Sequence, residues 1–168
     1  TSGAVVQSPV NTGTAYNAAV TGTGTAYATD SATGNIMLSV TDNDNFDYGC
    51  TTVSVSRDSS TPAYDFGGNT AVNLRVMGKV FTVNPTNASA SGSVDFTFYF
   101  TEAEIASWEA ATGNVRADLK AVKLGSTTYV PVSIGAFGSD VTLTASFSTG
   151  AGGDYHFGID PALANASF

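Results

Sequence analysis

Val94-Asp95-Phe96-Thr97-Phe98-Tyr99-Phe100 decides the reading of this chain. Side chains of an extended segment point alternately to opposite sides, so Val94, Phe96, Phe98 and Phe100 share one face and Asp95, Thr97 and Tyr99 the other. Each large apolar side chain contributes roughly 1.5–3 kcal/mol when fully buried, which marks the segment as a central core strand. The same rhythm runs outward in both directions. Ile36, Leu38 and Val40 share a face, as do Val53 and Val55 within 51–57, and Val72, Leu74 and Val76. Further strands are predicted at 79–83, 117–124, 128–134, 140–147 and 154–159; in 140–147, Val141, Leu143, Ala145 and Phe147 alternate with Thr and Ser. That gives about nine or ten strands, hence an all-β protein.

One helix breaks the series. Thr101-Glu102-Ala103-Glu104 fits the capping box, in which the Thr hydroxyl accepts from the amide of residue 104 and the Glu104 carboxylate reaches back. Residues 102–112 are rich in Ala and Glu, Ile105 and Trp108 make one apolar contact face, and Gly113 ends the run. Strand, helix, strand is also the order of a parallel crossover. A single short helix among many short strands, with turn residues between them, points instead to an antiparallel β-sandwich whose helix caps one end.

The 168 residues suit one domain spanning 1–168, long enough to bury a core without staples. Residues 1–34 are poor in large aliphatics and repeat Thr-Gly-Thr-Ala-Tyr at 12–16 and 23–27, which reads as two edge strands or a linker. Eighteen Gly and abundant Thr and Ser suit strands joined by turns. Fourteen acidic against six basic residues give a net charge of -8, which repels phosphate backbones and argues against a nucleic-acid partner. Cys50 and His156 each stand alone, which excludes an intrachain disulfide and zinc sites of paired Cys and His. No apolar run approaches a membrane span, so membrane insertion is not expected. Thr1–Val6 lacks the basic start and apolar centre of a secretion signal, which leaves a cytoplasmic protein or a piece excised from a longer exported chain; the composition favours the excised piece, hence an extracellular or cell-surface location.

Asp42-Asn43-Asp44-Asn45-Phe46-Asp47 falls between two strands, where a short acidic loop offers Asp42, Asp44 and Asp47 to a structural calcium. It is not an EF-hand, since Asp47 stands where the sharp-turn Gly belongs and Val53 where the bidentate Glu belongs. The competing reading is an Asx turn whose side chains bind their own backbone. Sugar rings stack on flat aromatic faces, and the candidate platforms are Trp108, Tyr99, Tyr48 and Tyr64, with Phe66 beside Tyr64. For Trp108 the competing reading is core packing, given its spacing from Ile105; for Tyr99 it is cross-strand packing, although its parity places it with Asp95 and Thr97 on the polar face.

Catalytic patterns are weak. No Gly-x-Ser-x-Gly elbow accompanies His156, which reads as a surface or structural residue. Cys50 reads as a buried thiol without a base beside it. A glycosidase needs two carboxyl groups across a cleft, whereas Glu102, Glu104 and Glu109 all sit on the helix, where capping and dipole compensation account for the first two. Gly150-Ala151-Gly152-Gly153 precedes a strand and lacks the Lys of a phosphate-binding loop. Arg57 suits an ion pair with Asp42 or Asp65. Asn87-Ala88-Ser89 and Asn165-Ala166-Ser167 match the glycosylation triplet.

Lys79-Val80-Phe81-Thr82-Val83-Asn84-Pro85-Thr86, Val94–Phe100 and Thr101–Gly113, with Asp47–Val53 and Phe157-Gly158-Ile159, resemble accessory domains of secreted multidomain proteins of Bacteroidetes. Such domains accompany metallopeptidase, adhesin-like or polysaccharide-degrading modules. The resemblance covers roughly residues 42–160 in pieces. It implies export within a parent multidomain chain and an accessory role, and it carries no family-wide catalytic residues. The reading that follows is a non-catalytic carbohydrate-binding module that holds a polysaccharide or glycan by aromatic stacking and polar contacts. The alternative is a structural spacer or protein-interaction module without a small ligand. An exposed aromatic pair lining a groove favours the first, and isolated aromatics the second.

Overall fold

Extended segments that are apolar on one side must pair edge to edge to satisfy their amides and stack face to face to bury that side. The computed structural model describes residues 16–20, 22–30, 34–57, 76–126 and 128–160, and there the chain does both. Two antiparallel sheets pack as a sandwich. In one, the spatial order is β2 (Thr25–Thr29), β3 (Ile36–Asp42), β6 (Val94–Phe100), β10 (Asp140–Phe147) and β9 (Ser133–Phe137). In the other it is β1 (Tyr16–Val20), β4 (Gly49–Arg57), β5 (Lys79–Pro85), β11 (Gly153–Ile159), β7 (Leu119–Lys123) and β8 (Val130–Pro131). The all-β antiparallel sandwich read from the sequence is thus the observed architecture.

The central position of β6 follows from its four large apolar residues. Val94, Phe96, Phe98 and Phe100 are fully buried, between β3 and β10 in their own sheet and facing Phe81, Tyr155 and Phe157 of the other. Their rings meet edge to face or tilted: Phe81–Phe98 at 5.0 Å, Phe98–Phe157 at 4.8 Å and Phe96–Tyr155 at 4.8 Å between centroids. Such pairs add roughly 0.5–1.5 kcal/mol each beyond burial of area.

The helix α1 (Glu102–Thr112) follows β6 directly and carries both halves of the capping box. The Glu104 amide donates to Thr101 Oγ1 at 3.1 Å, and the Thr101 amide donates to Glu104 Oε2 at 2.8 Å. Gly113 ends the helix at φ 73°, a left-handed conformation open to glycine without a Cβ penalty. Ile105 and Trp108 are its two buried residues and join the core.

Three local expectations need adjustment. The segment 128–134 was expected as one strand; it divides into β8 and β9, which lie in different sheets, because Pro131 cannot donate a ladder hydrogen bond and stops the first piece. The segment 117–124 opens with a 3-10 turn, Arg116–Asp118, before β7 begins. Of the strand expected at 72–76, Val76 alone lies within the described residues, and it forms a single bridge to Gly158. The two copies of Thr-Gly-Thr-Ala-Tyr end in Tyr16 and Tyr27, in β1 and β2, which are edge strands of different sheets.

Candidate ligand-binding face

Strand pairing stacks the polar residues of the five-stranded sheet into rows on its outer face. Tyr27 lies opposite Ser39, Ser39 opposite Thr97, Thr97 opposite Thr144, and Thr144 opposite Ser133, a row crossing all five strands. At the usual inter-strand spacing that row is about 19 Å long. A second row runs Thr25, Thr41, Asp95, Ser146. Hydroxyls bond along each row, Thr25 with Thr41 at 2.7 Å and Thr97 with Thr144 at 3.2 Å. Asp95 is held from two sides, accepting from Ser146 Oγ at 2.5 Å and from Asn43 Nδ2 at 3.1 Å.

Beyond the hydroxyl rows lies an apolar patch of Ile36, Tyr99 and Phe137, with the Tyr99 and Phe137 rings edge to face at 5.1 Å. Ile36, expected to share the face of Leu38 and Val40, lies instead on the outer side, where the register shift at Ala28/Thr29 breaks the alternation of β3. Burial pushes the Tyr99 hydroxyl above the ordinary phenol range, with Tyr27 adding to the rise and a hydrogen bond with Ser39 opposing it. Tyr27 is 57% exposed and is the solvent-facing ring of the face. A flat surface with an aromatic ring, a run of hydroxyls and a fixed carboxylate can stack on the C–H side of a sugar and hydrogen-bond its hydroxyls.

The residues singled out from the sequence are dispersed. Tyr99 lies on this face as its parity predicted, yet only 7% of it is exposed. Tyr48 is fully buried, edge to face with Phe46 at 4.8 Å, and burial, then the Asp42 and Asp44 charges, push its hydroxyl up. Trp108 is 7% exposed and packs in the core; its edge helps line a groove of about 410 Å³ between α1 and the start of β5. Burial therefore withholds the broad ring faces of Tyr48, Tyr99 and Trp108 from a stacking partner. Tyr64 lies outside the described residues, as do Phe66, Asp65 and the side chain of Arg57.

The acidic loop takes Asx-turn geometry. Asp42 Oδ1 accepts from the Asp44 amide at 2.9 Å, Asp44 Oδ2 from the Ser93 amide at 2.6 Å, and Asp47 Oδ1 from the Gly49 amide at 2.9 Å. Asp42 is fully buried, whereas Asp44 and Asp47 are exposed. Among the described residues no group of three or more acidic, His or Cys side chains converges in a way that could hold a metal ion.

The glutamates are held in ion pairs. Arg116 clasps Glu102 at 2.7 Å and Glu109 at 2.8 Å, and Lys79 holds Glu104 at 3.0 Å. Cys50 is exposed, contrary to the buried thiol expected, because the inward parity of β4 belongs to Thr51, Val53 and Val55. His156 is buried in β11.

Sequence reasoning missed Tyr27. Its signal was present in Thr25-Ala26-Tyr27-Ala28-Thr29, where two small alanines face the core and the one large ring faces away. No protein-family model matches the chain, and no curated protein or solved structure matches it, so the functional reading rests on the geometry of this face.

Proposed function

We propose that the domain is a non-catalytic carbohydrate-binding module within a longer exported bacterial chain, and that it holds polysaccharide on the outer face of the five-stranded sheet. The observation that carries this reading is the exposed Tyr27 ring at the head of the row Ser39, Thr97, Thr144, Ser133. A polysaccharide lying across the strands would meet one stacking ring, pass over Ser39, which is only 7% exposed, and reach the half-buried hydroxyls of Thr97 and Thr144 and the exposed Ser133, with Asp95 alongside. The pairing of the three glutamates with Arg116 and Lys79 supports the non-catalytic part, since a glycosidase needs one carboxyl group of raised pKa facing another across a cleft.

A second reading, a structural spacer or protein-interaction module, is favoured by the burial of Tyr48, Tyr99 and Trp108, which leaves Tyr27 without an equally exposed aromatic neighbour among the described residues. Affinity electrophoresis against a broad panel of plant and marine polysaccharides separates the two. Retardation on at least one polysaccharide, lost in Tyr27→Ala, is the result expected; unaltered mobility on all of them selects the spacer.

A further inference from the structure

We propose that β9 is a self-association edge, and that two copies of this chain join antiparallel through Ser133–Phe137 to continue the five-stranded sheet into the partner's. The exposed edges of a sandwich are ordinarily blunted by shortness, proline, charge or a bulge. Here β8 is two residues long and contains Pro131, and β2 carries a register shift at Ala28/Thr29. The other two edges, β1 (Tyr-Asn-Ala-Ala-Val) and β9 (Ser-Ile-Gly-Ala-Phe), carry no charge and no proline and pair with β4 and β10 in unbroken register over five residues each, and of these β9 alone has a glycine at its centre. Residues 133–136 are all exposed. Ile134 and Ala136 lie opposite Leu143 and Val141, so they point toward the core side, yet Ile134 is 41% exposed. Leu143 and Val141 beside them are buried, so what lies open at this edge is the Ile134 side chain itself.

The hairpin fixes which main-chain groups are available. Gly138 and Ser139 form the two-residue turn that closes on Phe137 and Asp140, so the amides and carbonyls of Phe137, Gly135 and Ser133 face β10. Those of Ile134 and Ala136 face outward. Water satisfies these groups in the monomer, and a second extended main chain can replace it, with a second β9 fitting the alternating row in phase. With Gly135 on the two-fold axis, Ile134 lies opposite Ala136 of the second copy and Ala136 opposite its Ile134, exchanging about four main-chain hydrogen bonds. Each large Ile then covers a small Ala on the core side, and Gly135 meets Gly135 with no side chains to collide. The contact is small, at the weak end of protein interfaces. Two domains of net charge -8 repel each other at low ionic strength, so association strengthens as salt is added.

Sedimentation equilibrium from about 10 μM to about 1 mM, at low and at high salt, provides the test. The result expected is a monomer–dimer equilibrium that shifts toward dimer with salt and is abolished in Ala136→Pro. That substitution removes an outward-facing amide and leaves the β9–β10 ladder intact, which near-ultraviolet circular dichroism checks. The register is tested separately in a Cys50→Ser background. Oxidised Gly135→Cys, made together with Thr142→Ala because a Cβ at 135 would lie 2.6 Å from Thr142 Oγ1, is expected to form a disulfide-linked dimer, since facing Cα atoms of such a pair lie about 4.5 Å apart, while Thr25→Cys on the opposite edge stays monomeric. A monomer at every concentration and salt, or an Ala136→Pro protein that is folded and dimerises like the parent, overturns the proposal.

Discussion

Lys79 and Glu104 form an ion pair 3.0 Å long with side chains 1% and 6% exposed, joining the start of β5 to the first turn of α1. The Lys79 ammonium also donates to the Tyr99 carbonyl at 2.9 Å and lies over the rings of Phe100 and Phe81, at 4.8 and 5.2 Å from their centroids. Glu104 meanwhile closes the capping box. One carboxylate thus starts the helix and fixes it to the neighbouring sheet.

Removing Glu104 takes from the buried Lys79 ammonium a carboxylate 3.0 Å away. Glu104→Ala is therefore expected to cost about 3–5 kcal/mol in urea unfolding. The double variant Lys79→Met/Glu104→Gln is expected to lose much less than the two single changes summed, because neither charge then remains. Additive losses would mean that the two side chains act independently.

Arg116 gathers Glu102 and Glu109 onto one guanidinium, and its hydrogen bonds hold both carboxyl groups below the usual glutamate range. A carboxyl whose folded pKa is depressed contributes stability that is fully present above its unfolded pKa of about 4.3 and is lost as pH falls through the folded value. Both groups reach solvent, so the contribution is modest and screened by salt. Thermal melts from pH 6 down to pH 3 should show the parent losing more midpoint than Arg116→Gln, with the gap narrowing at high salt. Parallel curves across that range would remove the clasp from the account of acid sensitivity.

The fold was legible because period-two burial is a property of consecutive residues. Val94, Phe96, Phe98 and Phe100 state their burial without reference to anything else in the chain, and Thr101 to Glu104 state a helix start in four residues. The candidate face was legible only in part. Parity placed Tyr99 among the polar residues of β6, but its burial depends on Ile36 and Phe137, brought there by a bulge and a hairpin distant in sequence. Tyr27 went unnoticed because Ala26 and Ala28 are too small to announce a core side by hydrophobicity alone. Cys50 was misplaced for a related reason: reading it required the phase of Val53 and Val55 to be carried back through two threonines.

The acidic loop separates two physical pictures of the same sequence. Asp42, Asp44 and Asp47 each engage a main-chain amide, contacts that can hold the loop by themselves, while Asp42 Oδ2 is buried with no hydrogen-bond partner among the described residues. The expected result is a melting transition that does not move between calcium and chelator. Asp42→Ala, which strips the Asp44 amide of its acceptor, should lose about 1 kcal/mol in both conditions. A midpoint that falls on chelation, and that Asp42→Ala makes insensitive to chelator, would put calcium on the remaining carboxylate oxygens.

Tyr27 and Trp108 test whether exposure or residue type governs ligand binding. Trp108 is the chain's one tryptophan, the side chain with the largest face for a sugar, yet it packs beside Ile105 in the core. Its removal is a stability event: Trp108→Ala should cost about 3–5 kcal/mol in unfolding. Under native conditions the polysaccharide retardation of the folded fraction should stay unchanged. Tyr27→Ala removes an exposed ring from an edge strand, so the unfolding midpoint should hardly move while retardation disappears. Thr97→Val and Thr144→Val remove hydroxyls while keeping branched side chains suited to a strand, so they should weaken retardation without abolishing it. The opposite pattern, binding that survives Tyr27→Ala and fails in a folded Trp108→Ala, would move the ligand from the sheet face to the groove beside α1.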